Sequence, residues 1–184
     1  MTRDEAYALL CEYVEPDSLR KHSLATEAIL RALARRLEAD EELWGITGLL
    51  HDLDFAATAD LPGEHTKQTC EVLEQRGFPP EALQAIREHN AEALGIERAS
   101  DFGIALSCGE TITGLIVATA LVYPDKKLAS VKAKSVLKRM KKKDFARAVS
   151  REIIGECERL SIPLEEFVAL SLAAMCGVAD SLGL

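Results

Sequence analysis

The sequence predicts an all-α fold, a helical bundle, and three observations carry that prediction. Ala, Leu, Glu, Lys and Arg dominate the chain, and all have high helix propensity. The alternation of β-branched and polar residues that marks a strand is nearly absent. Apolar residues instead recur at three- and four-residue spacing between proline and glycine breaks, as on a helix packed against a core. With 184 residues, 48% of them hydrophobic, the chain is long enough to bury that core without disulfides.

A first helix is expected over Arg3 to Val14, and Pro16-Asp17-Ser18 opens a second that runs to about Leu37. Asp40 caps a third, with Glu41 and Glu42 in its first turn where they suit the helix dipole; it ends near His51-Asp52. The stretch Asp54 to Gly63 reads as a loop. A fourth helix is expected from about Glu64 to Gln75, stopping at Gly77, and Pro79-Pro80-Glu81 begins a fifth that ends near His89-Asn90. The sixth spans roughly Ala99 to Val122 and stops before Pro124. Three more follow over Leu128 to Lys141, Phe145 to Leu160 and Pro163 to Leu182, the last opening on a first-turn proline and two glutamates. The expected organisation is one helical domain over residues 1–184, with a core over about 17–122 and a helical extension over about 124–184.

Composition narrows the function classes. The five cysteines, Cys11, Cys70, Cys108, Cys157 and Cys176, are odd in number and form no CxxC pair. Neither a disulfide framework nor a zinc knuckle is supported, and each reads as a small buried apolar residue. No apolar run is expected to reach the roughly 18 residues of a membrane span, and the N-terminus lacks a signal-peptide stretch; the expectation is a cytoplasmic protein without a membrane partner. The net charge of −8 argues against general nucleic-acid binding. Eleven of the 22 basic residues fall between Lys126 and Arg151, and two readings stand: a solvated helix face, or a rim that attracts phosphate.

The functional signal lies in polar residues on apolar stripes. His22 shares a helical stripe with Thr26, Ile29 and Leu33; His51 follows Trp44 and Thr47; His89 follows Ala82, Ala85 and Ile86. Glu110 sits between Leu106 and Thr113, where a carboxylate is costly unless paired, hydrogen-bonded or bound to metal. Taken singly, each histidine reads as a satisfied core residue, and His65 as a surface residue near a helix start. Jointly, inward histidines and a carboxylate suit divalent metals.

The ordered set of His22, GLLHDLD with His51-Asp52, and a distal acid resembles the HD-domain superfamily of metal-dependent phosphohydrolases. His65 and His89 look like the extra histidines of its two-metal HDIG branch. The stretches PDKKLASVKAKSVLKRMKKKDFA and LSLAAM resemble one set of small bacterial and archaeal HDIG proteins. The resemblance implies an HD-like helical bundle with one or two divalent ions, Mn, Fe, Mg, Zn, Ni or Co. His22, His51, Asp52 and Glu110 would hold the first and Asp52, His65 and His89 the second. It implies hydrolysis of a small phosphate ester, a nucleotide among the candidates, by a metal-activated water, with Asp52 as the bridging catalytic carboxylate.

The sequence departs from the pattern in three places. Glu110 stands where the family has aspartate, Asn90 where many two-metal members have a second histidine, and HDLDF replaces HDLGK, losing a phosphate-contacting lysine. Asp54 is either a partner of the metal ligands or a surface or capping residue. Lys126 or Lys127 reaching the site, and Cys108 bordering it, are further expectations. Two other classes compete: a di-iron oxygenase-like enzyme, and a non-enzymatic or degenerate module that binds metal or ligand. The substrate-binding residues and the oligomeric state are not specified by the sequence.

Overall fold

The computed structural model describes all residues, 1–184, and contains helices without strands. Helix α1 (Arg3–Tyr13) begins with a reciprocal Thr2–Glu5 capping box. Then come α2 (Asp17–Arg36), α3 (Glu41–Leu50), α4 (Phe55–Thr58), α5 (Lys67–Glu74), α6 (Pro80–His89) and α7 (Ala91–Leu94). The longest helix, α8 (Asp101–Leu121), precedes α9 (Ala133–Met140), α10 (Arg151–Gly155), α11 (Leu164–Cys176) and α12 (Ala179–Leu182). Short 3-10 turns occupy Leu128–Ser130 and Glu156–Leu160.

Helix α8 is the axis of the molecule. Ser100 caps its start, and α2, α6, α10 and α11 pack around it. By length and composition it is apolar enough to cross a membrane, which corrects the expectation that no segment reaches that length; here 67% of its apolar window is buried by neighbouring helices. Trp44 of α3 stacks on Phe102 of α8 with ring centroids 4.6 Å apart. One core of 42 buried apolar residues takes side chains from every helix except the single turns α4 and α7.

Two glycines set how closely the central helices approach. A Cβ on Gly48 of α3 would lie 3.2 Å from the Thr26 carbonyl of α2, and one on Gly109 of α8 would lie 2.9 Å from Leu30 Cδ2. Leu30, with no exposed surface, therefore sits at the crossing of three helices. Because α2, α3 and α8 carry His22, His51 and Glu110, this crossing also fixes the spacing among those residues.

Several expected elements differ. The loop after Asp54 contains the single turn α4, and Ala91–Leu94 forms a helix the sequence reading left out. The fourth expected helix starts at Lys67 rather than Glu64, because Thr66 adopts a left-handed backbone (φ 81°). The helix expected from Leu128 splits into a 3-10 turn and α9. That expected from Phe145 begins only at Arg151, capped by Ser150, since Arg151 donates to the carbonyls of Lys142, Phe145, Ala146 and Val149, holding this segment as a loop. The last helix breaks between Cys176 and Ala179. All five cysteines are free, but Cys176 is exposed and Cys11 half-buried, against the expectation that each is buried.

The lysines of the basic segment point to solvent, while Leu128, Val131 and Val136 are buried and Leu137 and Met140 pack on the core. This is the solvated-face arrangement. Lys126 and Lys127 are exposed in the turn after α8, whose last residue, Leu121, lies roughly 16 Å along the helix axis from Glu110. Cys108 is fully buried, and burial holds its thiol well above the usual range, so it packs in the core rather than lining an accessible site.

Candidate metal centre

Five segments deliver the site. His22 projects from α2, His51 and Asp52 close α3, His65 stands in the turn before α5, His89 is the last residue of α6, and Glu110 lies mid-way along α8. Asp52 is the hub. Its Oδ2 lies 3.4 Å from His51 Nε2 and 3.8 Å from His22 Nε2, and its Oδ1 lies 3.2 Å from His65 Nε2 and 3.3 Å from His89 Nε2. Glu110 meets the cluster through His22, with Oε2 3.8 Å from its Nε2, and Thr111 donates to its other oxygen.

The opposite nitrogen of every ring faces an acceptor. His51 Nδ1 faces the Gly48 carbonyl at 2.8 Å, His89 Nδ1 the Ile86 carbonyl, and His65 Nδ1 the Asp54 carboxylate at 2.8 Å. His22 Nδ1 faces Thr113 Oγ1 at 3.0 Å; that hydroxyl donates its own proton to the Glu110 carbonyl and so accepts from the ring. The network assigns a proton to all four Nδ1 atoms and aims all four Nε2 atoms at Asp52.

Burial sets the charges. His51 has no exposed side-chain surface, and desolvation pushes its imidazole down to about 3, so it is neutral. Its Nε2 is buried with no hydrogen-bond partner. Burial also opposes ionisation of Asp52, but His51, His65 and His89 outweigh it and hold the carboxyl well below the usual range. His65 is disfavoured by burial yet raised to about 9 by its bonds to Asp52 and Asp54. Burial lifts the Glu110 carboxyl.

This arrangement fits a divalent cation. An orphaned, neutral, buried Nε2 beside an ionised carboxylate is a donor pair lacking only an acceptor of electron density. Two sets of donor atoms, His22–His51–Asp52 and Asp52–His65–His89, each lie within 4.8 Å of one another and share Asp52. Glu110 belongs to neither set at that spacing. Sequence reasoning found these residues and offered Asp54 as one possible partner, but missed the parts that Thr113 and Asn90 play in holding them. For Thr113 the signal was present, since it lies three residues beyond Glu110 on the same stripe.

A cleft of about 370 Å³ shares His22 and Thr113 with the cluster and continues over Val117, Leu121 and Leu182, with Lys21 on its lining. Its size is within the range of small-molecule sites.

The fold is all-helical, and two histidine pairs joined by one aspartate make a candidate centre for divalent metal. Comparison with known proteins makes this specific: the HD domain family model matches residues 19–120, and the chain belongs to that family. It is similar to Ribonuclease Y of Desulforudis audaxviator, 33% identical over 72 residues, covering 39% of this chain and 14% of that protein. It is also similar to Ribonuclease Y of Aquifex aeolicus, 35% identical over 71 residues, covering 39% and 13%. The chain thus spans about one-seventh of these relatives' length. No solved structure matches.

Proposed function

We propose that this chain hydrolyses a small phosphate ester with one or two divalent ions held by His22, His51, Asp52, His65, His89 and Glu110. The observation that carries the reading is the convergence of four Nε2 atoms on Asp52, one of them buried without a partner. Sets this rich in imidazole suit iron, nickel or zinc better than magnesium. Bound ions would supply Lewis-acid polarisation of a phosphoryl oxygen and a lowered pKa for water. The chain's own residues hold the frame: Asp52 stays ionised between the rings, while Thr113, the Gly48 and Ile86 carbonyls and Asp54 keep each imidazole turned inward. The adjoining cleft offers space for the non-phosphate part of a substrate.

The test is hydrolysis of a panel containing phosphomonoesters, phosphodiesters, nucleotides and short RNA, with the protein loaded in turn with Mn, Fe, Zn, Ni and Co. RNA belongs in the panel because of the Ribonuclease Y relatives. Metal-dependent release of phosphate or a shortened RNA supports the reading. Full metal occupancy with no hydrolysis would make the chain a binding module, and oxygen consumption with iron would make it oxygenase-like.

Metal loading should also release a proton near neutral pH. His65, raised to about 9, carries a proton on Nε2 at pH 7, and coordination must displace it. Metal affinity therefore rises with pH until about 9 and then levels off. Calorimetric titration at pH 7 in buffers of different ionisation enthalpy should show close to one proton released; a buffer-independent enthalpy would contradict it.

A further inference from the structure

The sequence stretch HDLDF and residue Asn90 depart from the family pattern, and in the structure both departures act on one short segment, Pro62 to Thr69. Asp54 is 1% exposed. Its Oδ1 accepts from His65 Nδ1 at 2.8 Å and from the Thr66 N–H at 3.1 Å, and its Oδ2 accepts from the Thr69 N–H at 3.1 Å. Thr69 Oγ1 returns the bond by accepting from the Asp54 N–H. One carboxylate thus caps the start of α5 from a distant position in the chain, supports the left-handed Thr66 and fixes the ring beside it. Asn90 follows His89 directly, and its amide donates to the carbonyls of Pro62 and His65 at 2.9 and 3.2 Å.

We infer that Asp54 and Asn90 are positioning residues that preorganise the His65–His89 half of the centre, Asp54 by orienting the imidazole and Asn90 by tying the His65 backbone to the end of α6. A carboxylate on the far nitrogen of a ligating ring fixes its tautomer and raises its basicity, which strengthens coordination. The His22–His51 half rests on Thr113 and the Gly48 carbonyl instead, so the two halves are separately supported. The inference rests on the metal-binding reading above.

The experiment is titration of metal-free protein with Co(II), followed by calorimetry and by the visible absorption of each equivalent, for wild type, D54N and N90A. The wild type takes two equivalents. In D54N the second weakens by about 10- to 100-fold while the first stays within about twofold. N90A shifts the second equivalent in the same direction by less. Thermal unfolding in chelator reports any general loosening of α5, which would weaken both equivalents together. Equal weakening of both, or none of either, overturns the inference while leaving the metal-binding reading intact. A wild-type protein that takes no metal at all overturns that reading, and this inference falls with it.

Discussion

Asp52→Ala should emerge from purification without metal, where the wild type retains about two equivalents by elemental analysis. The reason is arithmetic of donors: Asp52 is the one residue common to both candidate sets, and each set has only two imidazoles left without it. Removing residues that merely orient metal ligands typically lowers affinity or activity about 10- to 100-fold, and removing a shared ligand should exceed that range. Hydrolysis by the variant should accordingly fall more than about 100-fold. The small side chain also leaves His51 Nε2, His65 Nε2 and His89 Nε2 around a void, so added metal should not restore the activity. Retention of both equivalents by Asp52→Ala would show that the histidines bind without the carboxylate and would remove Asp52 from its bridging role.

The largest effect on stability is expected at Leu30. Leu30→Ala deletes a fully buried side chain at the point where α2 meets Gly48 of α3 and Gly109 of α8. Such deletions cost about 2–5 kcal/mol, depending on how far the surroundings collapse. Against a typical total of about 5–15 kcal/mol, that is a large fraction. For a chain of this length it corresponds to a fall in melting temperature of roughly 5–20 °C, measured on the metal-free protein. Because the same crossing spaces His22 from His51 and Glu110, the variant should also bind metal less tightly well below its melting temperature. A shift under about 2 °C would mean that the three helices do not depend on this contact.

The all-helical class was legible because it rests on properties that are local in sequence: propensity, period, the Asp40 cap and helix-opening prolines such as Pro80. Four of the six candidate site residues, His22, His51, His89 and Glu110, were legible for a related reason, since polar residues on apolar stripes are visible from spacing alone. Asp52 and His65 entered through the resemblance to the HD pattern. What stayed hidden depends on contacts between distant segments. His65 reads as a surface residue until Asp54, eleven positions earlier, is seen to hold its ring and the backbone after it. The shift of the α5 start to Lys67 has the same origin. The loop before α10 escaped because one arginine, Arg151, takes the carbonyls that a helix would have used. Cys176 and Cys11 show the limit of composition, since the tendency of cysteine to be buried says nothing about which helix face it occupies.

The donor atoms around Asp52 come from positions 22 to 89 and from four separate segments, so a state in which one of these segments has not docked does not present them together. An ion bound there would recognise the finished fold and nothing earlier. Ligands of that kind raise stability by mass action, about 2.7 kcal/mol at a free concentration one hundred times the dissociation constant. Abundance of the protein would then track metal supply: in scarcity, a larger share of chains would open and meet proteases, and the cell would lose the protein along with its activity.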